Sequence, residues 1–205
     1  MIESNVTTIF PTPIYTSKLN RSFTSKELSF FSKNESKTTR NEGNSVSTDH
    51  YVLNNKNLKE LKKDIDLRIR DYFDKIIIPK DDVTPYITQS WLNYTKPGEF
   101  HHKHNHFNSY LSGVLYVNSD EKYDRIHFYK EVYQAIKLLP KQATHINADS
   151  MWFSVKTGDI ILFPSSLVHM VETKQGNNLR TSLSFNVFIK GDIGQEKYLD
   201  KLELL

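Results

Sequence analysis

The spacing of hydrophobic residues changes period partway along this chain. Leu58, Leu61, Ile65, Ile69, Tyr72, Phe73 and Ile76 recur at intervals of three and four with Lys, Asp, Glu and Arg between them, which predicts an amphipathic helix ended by Pro79. Upstream, Thr24 and Glu27 form a capping-box pattern ahead of Leu28, Phe30 and Phe31, so a shorter helix is expected there. The first apolar stretch, Val6 to Tyr15, is β-rich but holds Pro11 and Pro13, which suits an edge strand or extended lead-in. Ser32 to Asp49 is polar and rich in Ser, Thr and Asn, and reads as a long loop with room to act as a flap.

After Pro85 short β-type runs replace the helical period. Ile87–Tyr94, Tyr110–Val117, Arg125–Tyr129, Met151–Val155, Ile160–Pro164 and Thr181–Ile189 are the predicted strands. Lys96-Pro97-Gly98, Asn118-Ser119-Asp120, Lys156-Thr157-Gly158-Asp159 and Gly176-Asn177-Asn178 supply the turns between them. Evenly spaced strands of this kind build a barrel or jelly roll. The chain is therefore expected to be one mainly β domain over residues 1–205: N-terminal strand and helices to residue 85, a barrel core over 86–190, and a tail from 191. Glu131–Asp149 is an irregular insertion in the core, and Gln195–Leu205 is expected to form a final short helix.

Composition narrows the chemistry. The 205 residues include no cysteine, so thiolate metal sites, iron–sulfur clusters and disulfides are excluded, and any metal must be held by imidazole or carboxylate. A formal net charge of +3 comes from interspersed charges of both signs and gives little support for a nucleic-acid surface. No run approaches the roughly 18 apolar residues of a membrane span, and MIESNVTTIFPTPIY lacks the basic and apolar regions of an export signal. The expectation is a cytoplasmic protein with no membrane partner and with a homodimer left open.

Four of the eight histidines fall in residues 101–106, between the Lys96-Pro97-Gly98 turn and a predicted strand. If that segment is extended, alternation puts His102, His104 and His106 on one face and His101 on the other, so His104 and His106 can reach one ion. A His-x-His pair supplies two ligands. His169, expected in a loop after the apolar strand Ile160–Pro164, is placed to supply a third. A surface polyhistidine run with His169 packed in the core would use the same residues without chemistry. The order His-x-His, strand, Gly-Asp turn, apolar strand and late His favours the metal.

Trp91-x-Asn93, His104-Asn105-His106, the run SYLSGVLYVN (Ser109–Asn118), TGDIILFPSSLVHMV (Thr157–Val171) and RTSLSFN (Arg180–Asn186) resemble the iron(II)/2-oxoglutarate-dependent oxygenases. The resemblance is greatest to an uncharacterised bacterial and phage branch that also opens with an IFPTPIY-like strand. It implies a double-stranded β-helix, a cupin-like jelly roll, that uses Fe(II), 2-oxoglutarate and O2. It also implies metal ligation by His104 and His169 and a grip on the distal carboxylate of 2-oxoglutarate by Arg180 and Ser182, helped by Tyr116, with Tyr94 as a further co-substrate contact. Ser112 would line the same pocket, since it shares a strand face with Tyr110, Val114 and Tyr116. The usual third ligand is the carboxylate of His-x-Asp or His-x-Glu. Here His106 stands in that place, so either three imidazoles hold the ion or a carboxylate such as Glu99 or Asp120 completes the site.

The implied activity is hydroxylation of an unidentified small-molecule or peptide substrate with release of succinate and CO2, and no side chain beyond the metal ligands is required as acid or base. Two other readings stay open. One is a cupin-type three-His iron dioxygenase that does not use 2-oxoglutarate, and the other is a non-catalytic metal-binding interaction module.

Overall fold

The computed structural model describes residues 2–131 and 136–204. Its elements in chain order are β1 (Tyr15–Lys18), α1 (Ser25–Asn34), β2 (Thr38–Arg40), β3 (Ser45–Ser47), α2 (Lys59–Tyr72), β4 (Val83–Thr95), β5 (His101–His104), β6 (Leu111–Asn118), β7 (Arg125–Tyr129), β8 (Ser150–Ser154), β9 (Asp159–Pro164), β10 (Val168–Val171), β11 (Arg180–Ile193) and β12 (Leu202–Leu204). Two sheets form. The larger runs β1-β9-β6-β11-β4-β3-β2, with β12 added to β11, and the smaller runs β5-β10-β7-β8. Every named strand pair is antiparallel. This is the expected mainly β jelly roll.

Alternation along the long central strands separates two cores. Leu92, Leu111, Leu115, Leu183, Phe185 and Val187 face the helices and pack on Leu61, Ile65, Ile69 and Tyr72 of α2. Val114, Tyr116, Ile161 and Phe163 face the other way, onto Ile126 and Phe128 of the smaller sheet. The helices thus stiffen the back of the larger sheet, and its front is left to close a cavity against the smaller one.

The two helices are where the periodicity placed them. Thr24 caps α1 in a full capping box with Glu27, and Glu27 is also gripped by Arg21 through both terminal guanidinium nitrogens. A π-turn over Phe73–Ile77 ends α2, with Ile78 left-handed at φ 46°. Pro85 is accommodated in β4 because only β11 pairs with that end of the strand, β3 reaching just Asn93 and Tyr94.

Several expectations need correction. Ser32–Asp49 is not a free loop: β2 and β3 form a hairpin that adds to β4 and so pins the expected flap to the larger sheet. The lead-in contributes only β1, and the described residues before Tyr15 carry no strand. The tail folds as a short 3-10 turn at Glu196–Tyr198 followed by β12, not as a helix. The described part of the Glu131–Asp149 insertion is irregular, and residues 132–135 lie outside the described residues. Among the described residues no helix is long and apolar enough to cross a membrane.

Gly113 of β6 pairs with Phe185 of β11, whose ring lies over the glycine. A Cβ there would meet the ring of Phe185 and, at 2.6 Å, Leu162 Cδ2. Gly113→Ala is expected to destabilise the fold by about 1–3 kcal/mol through overpacking, and Phe185→Leu in the same chain to recover part of the loss. Urea unfolding checks this, and an unchanged midpoint for Gly113→Ala would contradict the packing.

Candidate active site

The cavity between the sheets is walled by alternate residues of three adjacent strands. Trp91, Asn93 and Thr95 of β4, Arg180, Ser182 and Ser184 of β11, and Val114 and Tyr116 of β6 face it. The register sets Ser182 opposite both Asn93 and Tyr116, and Arg180 opposite Thr95. The smaller sheet supplies His104, His169 and Ile126.

The structure brings His104, His106 and His169 together, with one ring nitrogen of each lying within 4.8 Å of the others. His104 and His169 are direct cross-strand partners between β5 and β10, so His169 lies on a strand and not in the expected loop. His106 lies just past β5, and its backbone N–H donates to the Ser165 carbonyl at 2.9 Å. His104 Nδ1 lies 2.8 Å from the His102 carbonyl and His169 Nδ1 lies 3.0 Å from that of Leu167. A carbonyl can only accept, so each Nδ1 carries the proton and each Nε2 keeps its lone pair. That is the tautomer a metal ligand needs.

Parity across the cluster differs from the sequence expectation. His104 pairs with His169 but His101 pairs with Val171, three residues against two, so a bulge interrupts the alternation. His101 consequently lines the cavity and stacks on His104 with ring centroids 4.7 Å apart, whereas His102 does not line it. His101, His102 and His104 form a second nitrogen cluster that shares His104 with the first.

Burial keeps these rings neutral. His169 is pushed down to about 3 by burial and then by His104. His106 is pushed down to about 4 by burial, with His104 and His102 adding to it. Burial also lowers His104, although the His102 carbonyl favours its protonated form, and it lowers His101 strongly.

Arg180 is 4% exposed and reaches the same cavity. Its Nη1 donates to Asp124 Oδ1 at 3.2 Å. Tyr116 also lines the cavity, and its buried hydroxyl has no hydrogen-bond partner. Burial raises the Tyr116 pKa, with Arg180 opposing, so the phenol stays protonated and able to donate. Ser182 stands on the same wall. Arg180, Tyr116 and Ser182 therefore gather as the sequence suggested, and they can offer N–H and O–H donors to an anion.

One expected contact lies elsewhere, and the hydroxyl of another is already engaged. Tyr94 is one residue out of phase with Trp91, Asn93 and Thr95; it belongs to the helix-facing core and its hydroxyl donates to the Phe31 carbonyl at 2.6 Å. Period-two alternation from Asn93 already contains that signal. Ser112 does line the cavity, but its hydroxyl is engaged by Ser165 Oγ at 2.8 Å and Asn186 Oδ1 at 2.9 Å, a network that supports the turn holding His106. Tyr110 packs against Phe73 instead of sharing the cavity face. Neither Glu99 nor Asp120 joins the histidine cluster: Glu99 pairs with Arg40 at 2.7 Å, and Asp120 accepts from the Lys122 backbone N–H. Asp124 and Lys174, which flank Arg180, were not expected. Each sits in a turn whose residue types signal only the turn.

Comparison with known proteins agrees with the geometry. Residues 89–186 match the family described as "Putative 2OG-Fe(II) oxygenase". The fold is shared with HygX from Streptomyces hygroscopicus, solved with nickel, 2-oxoglutarate and hygromycin B bound, at TM-score 0.56 and 14% identity over 86% of this chain and 82% of that one. It is shared with a Pseudomonas putida prolyl-4-hydroxylase at TM-score 0.52 and 14% identity, covering 85% and 92%, and with the α-ketoglutarate-dependent epimerase SnoN from nogalamycin biosynthesis at 0.60 and 9%, covering 88% and 81%. No curated protein matches the sequence. The family match spans the central strands of the jelly roll, and the solved neighbours share the fold.

Neutral buried histidines make metal-free stability depend on pH. The folded-state values of His106 and His169, about 4 and about 3, lie below the value near 6.5 of an unfolded histidine, so below pH 6.5 the unfolded chain takes up protons that the folded chain does not. Stability is therefore expected to fall with decreasing pH from about 6.5, by roughly 1.4 kcal/mol per pH unit for each ring, until each folded-state value is reached. Urea unfolding of metal-free protein at pH 7 and 5.5 measures it. The dependence should be clearly smaller in His106→Gln/His169→Gln, the remainder coming from His101 and His104, and an equal slope in that variant would contradict the burial account.

Proposed function

We propose that this protein is an Fe(II)- and 2-oxoglutarate-dependent dioxygenase that hydroxylates an unidentified small-molecule or peptide substrate, with release of succinate and CO2. The observation that carries the reading is a single cavity with two complementary walls: three neutral imidazoles on one side, and a buried arginine beside an unpartnered tyrosine hydroxyl on the other.

The donor set fits a divalent transition metal. His104 and His169 present Nε2 with Nδ1 held by a carbonyl, and His106 completes three nitrogen ligands on one face. Bound Fe(II), with 2-oxoglutarate and O2, supplies the oxidising chemistry. The chain itself does the positioning. Arg180 and Tyr116 bind the far carboxylate of the 2-oxo acid and Ser182 borders it, which points its 2-oxo end at the histidines. Asn93 gives Nδ2 to Ser184 Oγ at 3.0 Å and leaves its buried Oδ1 unpartnered on the cavity wall, where it can orient a polar group of either substrate. Three imidazoles contribute no negative charge, so the site favours an anionic chelator more strongly than a site with a carboxylate ligand does.

The three-imidazole set also favours a second reading, a cupin-type dioxygenase whose substrate chelates iron without 2-oxoglutarate. That reading leaves Arg180 and the Tyr116 hydroxyl without a task. The fold neighbours include a hydroxylase and an epimerase, and hydroxylation is the outcome proposed here.

Anaerobic titration tests this. Wild type is expected to bind one Fe(II) per chain, His104→Ala and His169→Ala to lose stoichiometric binding, and His106→Asp to retain it. Arg180→Ala is expected to bind metal normally but 2-oxoglutarate about thirty-fold to several thousand-fold more weakly, the scale of roughly 2–5 kcal/mol for an anion left buried without its partner. Equal 2-oxoglutarate affinity in Arg180→Ala, read by the visible charge-transfer band and by calorimetry, would overturn the assignment.

A further inference from the structure

Arg180 is one member of a buried ionic triad. Asp124 Oδ1 accepts from Arg180 Nη1 at 3.2 Å and lies 3.3 Å from Lys174 Nζ, and the side chains of Asp124 and Lys174 are both 0% exposed. Asp124 is itself fixed: its Oδ2 accepts from the Asp120 backbone N–H at 2.8 Å. Lys174 is fixed as well, donating through Nζ to Asn178 Oδ1 at 2.8 Å. The Lys174 backbone pairs with the turn before the histidines, since Lys174 N donates to Glu99 O and Gly98 N to Lys174 O.

Such a triad is costly to bury and is weak evidence for stability, because ions lose their hydration on burial. Its geometry suggests another use. Asp124 takes one Nη1 proton of the guanidinium and does not form the two-point fork with which a carboxylate normally engages arginine. Among the described residues the other guanidinium N–H groups have no protein partner, and neither does the Tyr116 hydroxyl. Two cations and one anion leave a single positive charge, which one further carboxylate would neutralise.

We infer that Asp124 and Lys174 are positioning residues for the co-substrate carboxylate. Asp124 holds Arg180 by its inner corner so that the outer edge faces the cavity, and Lys174 offsets the charge of Asp124 so that Arg180 keeps its attraction for an anion. The inference rests on the 2-oxoglutarate reading above and extends it to two residues that do not line the cavity. Loss of Lys174 alone would leave Asp124 to neutralise Arg180. Loss of both charges together would restore the balance but release the guanidinium.

The test compares 2-oxoglutarate with 2-oxopentanoate, which has the same 2-oxo acid head and chain length but no distal carboxylate. Both are titrated anaerobically into the Fe(II) form, and the ratio of their affinities isolates recognition of the far carboxylate. Wild type is expected to prefer 2-oxoglutarate by at least about thirty-fold. Asp124→Asn/Lys174→Met should show a preference reduced by about three- to ten-fold, with metal stoichiometry and 2-oxopentanoate affinity unchanged, and Lys174→Met alone a preference reduced further still. A purely structural role would make the double variant no better than the single one. Lys174→Met keeps the Asp124–Arg180 ion pair and carries no unpaired buried charge, so it is the variant expected to fold in any case, and an unreduced preference in it would by itself overturn the inference. A wild-type preference retained in the double variant would by itself overturn the inference, as would Lys174→Met performing no worse than the double variant. A wild type that does not distinguish the two acids would overturn the oxygenase reading and this inference with it.

Discussion

The site depends on one cross-strand register. His104 of β5 and His169 of β10 are Cα partners, and that pairing sets the ring centroids 4.4 Å apart. In antiparallel strands a slip of one residue would turn one of the rings to the opposite face. The register is held from both sides. Met170 and Val171 continue the β10–β7 ladder onto His127 and Ile126, and the Ser109–Ser165–Ser112–Asn186 hydroxyl network anchors the turn to which the His106 backbone is bound. Phe163 and Phe128 pack beside His169, with centroids 4.7 and 6.3 Å away, and supply the burial that keeps the ring neutral.

The chemistry divides along the sheets. The smaller sheet carries the neutral nitrogen donors, and the larger sheet carries the arginine and the polar wall. With the histidines held neutral by burial, the cavity's positive charge resides in the Arg180 triad and whatever ion the nitrogens hold. That separation orients a molecule bearing an anion at one end and a chelating group at the other. The helices take no part in the site directly. Leu61, Ile65 and Ile69 press on the back of β4, β6 and β11, and stiffen the wall from which Asn93, Tyr116 and Arg180 project.

Much of this was legible in the sequence, for definite physical reasons. The three-four spacing of Leu58 to Ile76 and the Thr24–Glu27 pair mark their helices because helical geometry imposes both patterns. The long strands of the core show as apolar runs between turn residues, and the His-x-His, late His and Arg-x-Ser motifs bring the same residues to one cavity. What was hidden depends on interruptions of period or on pairing across long distances. The bulge in β5 that turns His101 inward leaves no mark in residue type. The β2–β3 hairpin is too short and polar to stand out from loop. Asp124 and Lys174 read as ordinary turn residues until folding buries them together, 50 positions apart. Tyr94 was misplaced for the opposite reason, since its family position outweighed an alternation that already turned it toward the helices.

The central claim is that one cavity joins a three-nitrogen metal site to a carboxylate site. A crystal structure grown anaerobically with Fe(II) and 2-oxoglutarate addresses it most directly. The expected result is one iron on His104, His106 and His169 through nitrogen, chelated by the 2-oxo acid, whose far carboxylate meets the free edge of Arg180 and the Tyr116 hydroxyl while Asp124 stays on Nη1. Iron held by other residues, or 2-oxoglutarate bound away from Arg180, would contradict the account.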